Sequence, residues 1–177
     1  MLSWLRKAWK AKSGLAAVEF ALLAPIMIAF FLGGIELTDA LACKQKVTGM
    51  AATAADLVAQ ETNVTNADIS NVFSAINSIV YPYPTTGLKI VVSSLSYTSA
   101  TTGTVTWSDA QNTTARVPNT TVTVPSGVLA SGGSVILTEV TYPYTSKVAK
   151  FLSSSTNMTS TFYARPRRSA AVTRSAS

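Results

Sequence analysis

Residues 15–35 read LAAVEFALLAPIMIAFFLGGI, with Glu19 as the one charge. The run is apolar all round rather than along one stripe, which suits lipid on every side. About 20 such residues match a hydrocarbon core about 30 Å thick, so a transmembrane helix is predicted over residues 15–37. Pro25 and the Gly33-Gly34 pair would weaken a helix in water but are tolerated in membrane spans, and Pro25 predicts a kink. Beyond the run the pattern turns amphipathic. Val47, Met50, Ala51, Ala54, Leu57 and Val58 recur at three- and four-residue spacing, while Lys46, Thr53 and Asp56 fall elsewhere. A helix unbroken from about residue 15 to residue 61 would be about 70 Å long. Its alanines at 51, 52, 54 and 55 allow close approach, either of another helix or of the chain's own domain.

Residues 63–66 interrupt that helix. A second is predicted with Asn66 as N-cap and Ile69, Val72, Phe73, Ile76 and Ile79 or Val80 as its apolar stripe, stopping at Tyr81-Pro82-Tyr83-Pro84. From Leu88 on, Val, Ile, Thr and Ser alternate with period two. Strands are predicted over 88–97, 103–108, 120–124, 134–142 and 158–164, and a short helix over 145–152. Turns fall at 101–103, 118–119, 125–127 and 131–133, where Gly, Pro and Asn gather. The fold class expected is α+β: a long N-terminal transmembrane helix, then a head with a mainly antiparallel sheet, an arrangement that resembles a pilin-like subunit with a periplasmic head. The expected divisions are a basic cytoplasmic leader (1–14), the transmembrane helix (15–37), its periplasmic extension (38–61), the α+β head (62–164) and a basic tail (165–177).

Charge orients the span. The net charge is +6, from 14 Lys+Arg against 8 Asp+Glu. Arg6, Lys7, Lys10 and Lys12 precede the apolar run without an acid, and Glu36 and Asp39 follow it. The positive-inside rule then places the N-terminus in the cytoplasm and the rest across the membrane. Trp4 and Trp9, set among the leader's basic residues, suit the headgroup interface. The other basic group sits at the tail (Arg165, Arg167, Arg168, Arg174), and the middle is slightly acidic, so no basic face for nucleic acid is laid out. Two other processing routes stay open. Ala40-Leu41-Ala42 has the form of a signal-peptidase site, although the apolar region exceeds a usual signal core. ALAC at 40–43 approaches a lipoprotein box, but its leucine stands one position off.

Glu19 carries the sharpest signal, because an ionisable group inside a span is costly: it either snorkels to the cytoplasmic interface, about one turn past the basic flank, or asks for a partner. Gly14 stands five residues before it and Phe20 directly after, behind a short basic leader. This arrangement resembles the type IV prepilin processing site, where a membrane-embedded peptidase cuts after the glycine. Cleavage here would free the amine of Leu15 and make Glu19 the fifth mature residue. A new amine and a carboxylate, each unfavourable alone in a helix bundle, would neutralise each other between neighbouring subunits. The longer stretch GLAAVEFALLAPIMIAFFLGGIE is similar to the N-terminal signature of the TadE-like family, through Gly14, Ala17–Ala21, Pro25, Gly33, Gly34 and Glu36. Less specifically, Val140-Thr141-Tyr142-Pro143-Tyr144 and Tyr163-Ala164-Arg165-Pro166-Arg167 resemble the ends of such proteins. The resemblance implies a non-enzymatic minor pseudopilin or membrane-anchored assembly component of a bacterial tight-adherence (Flp) pilus or secretion system. It implies the inner membrane as location, and the lipid bilayer, other pilus-assembly subunits and a prepilin peptidase as partners.

No catalytic constellation emerges from the rest. There is no histidine, so Ser-His-Asp and Cys-His arrangements cannot be assembled. Asp56, Glu61, Asp68, Asp109 and Glu139 lack calcium-loop or zinc spacing, and no phosphate loop appears, so no cofactor is expected. Cys43, the one cysteine, reads as a small apolar side chain near the outer interface or as half of an intersubunit disulfide. The alternative function is a periplasmic ligand-binding domain, anchored or secreted through an ordinary N-terminal signal.

Overall fold

A computed structural model of the chain describes residues 12–146 and 155–176. The leader tryptophans, and all but the first two residues of the short helix expected over 145–152, lie outside the described residues. The chain divides into two units. The described part of the first is residues 12–40 and 146, and the second holds residues 41–145 and 155–176.

The first helix, α1 (Lys12–Ala59), runs without interruption through Pro25. From Cys43 on, one face is sealed: Cys43, Val47, Met50, Ala51, Ala54, Ala55, Val58 and Ala59 have no exposed surface. The three- and four-residue steps between them form one stripe, with Leu57 only half-buried at its border. The alanine face is thus covered by the chain's own head. Small side chains suit it, because they let the helix lie close to what it packs on. At the end of α1 the Glu61 amide turns back to the Val58 carbonyl (3.2 Å), tightening the last turn.

A two-residue strand, β1 (Asn63–Val64), leads into α2 (Asn66–Ile79). The N-cap of α2 is Thr65, not the expected Asn66. The Thr65 hydroxyl accepts from the Asp68 amide (3.2 Å) while the Asp68 carboxylate accepts from the Thr65 amide (2.9 Å), a reciprocal capping box. Counting from Asn66, the reciprocal position would fall on Ile69, which cannot accept. The buried stripe of α2 is Ile69, Val72 and Ile76, continued by Val80, with Phe73 and Ile79 half-buried.

The sheet has five strands in the order β4-β3-β2-β5-β6, every neighbour antiparallel. These are β2 (Lys89–Ser99), β3 (Thr102–Gln111), β4 (Thr121–Thr123), β5 (Ser134–Thr145) and β6 (Ser155–Ala164). All five occur where period-two alternation predicts strands. Register places Ile90, Val92 and Ser94 of β2 beside Val140, Thr138 and Ile136 of β5, on the face that also carries Tyr142, Trp107 and Phe162. This is the helix side: Gln111 of β3 bonds Asn77 of α2 (3.1 Å), and Phe162 shares a groove with Ala52 and Leu57 of α1. The opposite face has its own small core of Leu95, Val105, Val135 and Leu137. The loops around β4 roof that core through Val124 and Leu129.

A last two-residue strand, β7 (Thr173–Arg174), pairs in parallel with β1. The charge pattern of residues 165–177 gives no hint of it.

Candidate functional site

In the first unit, all the residues singled out from sequence lie on α1. Leu15 and Glu19 stand one turn apart and therefore share a face. By helical spacing Ile26, Phe30, Gly33 and Leu37 continue that face. Gly14, Glu19, Pro25, Gly33 and Gly34 are exposed, and Glu36 is half-buried. The large apolar side chains are just as open: Leu15 is 64% exposed, Phe20 66% and Phe30 79%. Among the described residues one helix, between residues 14 and 59, is long and apolar enough to cross a membrane, and none of its most apolar stretch is buried. A concave notch on this helix is lined by Ile26, Phe30, Gly33, Gly34 and Leu37. A methyl group added at Gly14, Gly33 or Gly34 would meet nothing within 4 Å. The chain's own packing therefore does not require glycine at any of the three. Pro25 has no N–H, so the carbonyl one turn earlier loses its usual donor. Thr38 donates its hydroxyl to the Gly34 carbonyl (2.9 Å), which satisfies a polar group where lipid would not.

The second unit gathers polar residues that the sequence does not single out. The Trp107 indole N–H donates to the Val172 carbonyl (2.8 Å), and Val172 is buried. The Arg174 guanidinium grips the Asp109 carboxylate through two nitrogens (2.8 and 3.1 Å) and reaches Asn66 (2.6 Å). The bond to Asp109 raises the already high pKa of Arg174 further, so the cation is fixed. Asp68 is held below the usual carboxylate range, first by the Thr65 backbone N–H, then by the Thr65 hydroxyl, with Arg174 adding a smaller pull. These contacts bolt residues 172–175 across β3 and the start of α2. On the roofed face, Arg116 holds Glu139 in a two-pronged pair (3.0 and 2.8 Å) whose side chains are a third exposed. Burial, and then the charge of Glu139, push the Tyr163 hydroxyl pKa up.

These contacts organise the fold. Among the described residues no group of three or more His, Cys, Asp or Glu is placed to hold a metal. Asp109, Glu139 and Asp56 are each taken up by an arginine. On the helix side of the sheet, Ser94 Oγ and Thr138 Oγ1 are buried without a hydrogen-bond partner among the described residues. They sit on the same face of adjacent strands, two rungs apart.

A single helix long and apolar enough to cross a membrane, continuing in sequence into an α+β head with an antiparallel sheet, defines a class of candidate single-pass anchored proteins. Within it, residues 14–56 match the family model described as TadE-like protein. The match begins at Gly14, takes in Glu19, Pro25 and both helix glycines, and ends at Asp56, within the length of α1 that carries the buried stripe. It bears out the resemblance for that segment. No curated protein and no solved structure matches the chain.

Proposed function

We propose that this chain is a non-enzymatic minor pseudopilin or membrane-anchored assembly component of a bacterial tight-adherence pilus or secretion system. It is held in the inner membrane by residues 15–37, with its head in the periplasm. The observation that carries this reading is the TadE-like match over residues 14–56, the stretch that contains the open apolar face of α1. An exposed apolar helix with a carboxylate on it needs both lipid and a counter-charge. In this proposal Glu19 meets the amine of Leu15 on a neighbouring pilus subunit, and a prepilin peptidase releases that amine by cutting after Gly14. The work done is association, helix against helix in the bilayer and head against other pilus components.

Two measurements test it. Sequencing the mature N-terminus should return Leu15. Residue 43 would favour an ordinary signal and a secreted ligand-binding domain instead, and Met1 would remove the processing step. Replacing Glu19 with Gln or Val should abolish incorporation into pilus or membrane complexes while leaving membrane insertion intact. Wild-type incorporation by both variants would sink the pairing.

A further inference from the structure

We propose that the end of the head beside residues 43–46 of α1 is a lipid-facing surface, resting among anionic phospholipid headgroups through Tyr81 and Lys89. This rests on the membrane-anchored reading above and adds to it a second contact with the bilayer, made by the head itself.

One rung of the sheet fixes where this end lies. Lys89, the first residue of β2, pairs with Thr141 of β5, and Thr141 pairs with Thr159 of β6. Lys44 of α1 donates its ammonium to the Thr159 carbonyl, so the two lysines close the same rung from its two sides. Lys46 reaches the Ile79 carbonyl at the C-terminus of α2 (3.2 Å), bringing the end of that helix to the same level. Lys44, Lys46 and Lys89 are all the described lysines of this unit. The nearest acid on β5, Glu139, is two residues away and already neutralised by Arg116.

The same end carries a tyrosine cluster built from two Tyr-Pro-Tyr sequences, 81–83 and 142–144. The Tyr83 ring stands 6.2 Å from Tyr142 and 6.4 Å from Tyr144, both tilted toward edge-on contact. Tyr142 donates its hydroxyl to the Pro84 carbonyl (3.0 Å). Gly87, in the left-handed region (φ +82°), approaches Pro143 so closely that an added methyl would stand 2.7 Å from its ring. The loop bearing Tyr81 is therefore braced from behind. Tyr81 itself is 78% exposed, the most exposed aromatic outside the apolar run among the described residues.

A rigidly presented tyrosine flanked by lysines is the composition that settles at a membrane interface. There the ring lies at headgroup depth and the ammonium meets phosphate. Chain connectivity argues for the same occupant. Only seven residues separate Ile35, the last of the apolar run, from Cys43.

The test uses the full chain with 3-fluorotyrosine, reconstituted into nanodiscs of phosphatidylglycerol and phosphatidylcholine. A trace of lipid carrying a gadolinium chelate on its headgroup broadens nearby fluorine signals. Tyr81→Phe and Tyr97→Phe assign two of the six tyrosine resonances. Tyr97 is the internal control, since it lies toward the opposite end of β2 and donates its amide to Gly133 (3.0 Å). The expected result is loss of the Tyr81 signal at a gadolinium level that leaves Tyr97 sharp, with partial recovery in Lys89→Glu. Equal broadening of both tyrosines, or a sharp Tyr81 in discs that retain the protein, would overturn the proposal and leave the anchor reading standing. An unmoved Tyr81 signal in Lys89→Glu would overturn the assignment to anionic headgroups. A chain that does not stay in the discs would sink the anchor reading, and this proposal with it.

Discussion

One buried side-chain bond ties the tail to the sheet, and Trp107→Phe isolates it. The indole N–H donates to the Val172 carbonyl at 2.8 Å in a buried setting. Phenylalanine keeps most of the ring but leaves that carbonyl without its donor. A buried acceptor stripped of its partner costs about 1–3 kcal/mol. Residues 173–175 are also held by the Thr173 amide on the Thr62 carbonyl (3.1 Å), the Ser175 amide on the Val64 carbonyl (3.0 Å), the Arg174–Asp109 pair, and side-chain bonds of Thr173 to Thr62 and Asn63, of Asn63 to Ser175 and of Arg174 to Asn66. Opening the tail breaks all of these together with the Trp107 bond, so the substitution lowers the opening free energy by about 2 kcal/mol, or about 30-fold in rate. Native-state hydrogen exchange reads this directly, because tails open far below the global unfolding energy. In Trp107→Phe the Thr173 and Ser175 amides should exchange about 30-fold faster, while amides in the middle of β2 barely move. Unchanged tail amides would refute the reasoning. Equal acceleration in β2 would show instead that the tryptophan supports the sheet as a whole.

Two shorter predictions concern the head. Gly103→Ala places a methyl 2.9 Å from Leu129 Cδ1 and 3.0 Å from Leu95 Cβ, inside the roofed core, and should cost about 1–3 kcal/mol in urea unfolding; a neutral result would mean the loops around β4 yield freely. Asp68 has its folded pKa depressed by Thr65, so its contribution to stability is present above the ordinary carboxylate range and is lost as pH falls through the folded value. Acid titration of the amides in the first turn of α2 should show that loss, and Asp68→Asn should remove the pH dependence.

Much of this fold is written in short-range pattern. The alternation of Ile90 and Val92, and the spacing of Ile69, Val72 and Ile76, are periodicities that a buried sheet face and a buried helix stripe impose on sequence. What escapes is decided by side-chain partners rather than by period. Thr65 and Asn66 both cap helices well, and only the reach of Asp68 chooses between them. The first residues of β6, Ser155 to Asn157, are exposed at the sheet edge and therefore carry no alternation. The pairing of β1 with β7 joins segments more than a hundred residues apart through two residues each, too short for any pattern. The match at residues 14–56 was legible for the opposite reason. An apolar run broken by one carboxylate, one proline and paired glycines keeps its features in order along the chain, whatever the head does.

The helix glycines offer the cleanest separation of what this chain needs for itself from what it needs for others. In a helix interior glycine is less stable than alanine by about 0.5–1 kcal/mol. Such a cost persists where a side chain would collide with something. Among the described residues nothing collides, since a methyl added at Gly33 or Gly34 meets open space. Gly33→Ala should therefore strengthen α1, or leave it unchanged, when helicity is measured in bilayers. In the proposed function a neighbouring helix fills the notch between Phe30 and Leu37, because small residues let helix backbones approach closely in lipid. The bulkier Gly33→Leu should then keep helicity and membrane insertion yet lose disulfide cross-linking to neighbouring subunits through cysteines introduced at exposed positions of the span. A neighbour seated elsewhere would leave cross-linking in Gly33→Leu at the wild-type level, and the notch would have to be given up as the contact. Loss of cross-linking with helicity and membrane insertion intact would separate the contact with a neighbour from damage to α1 itself.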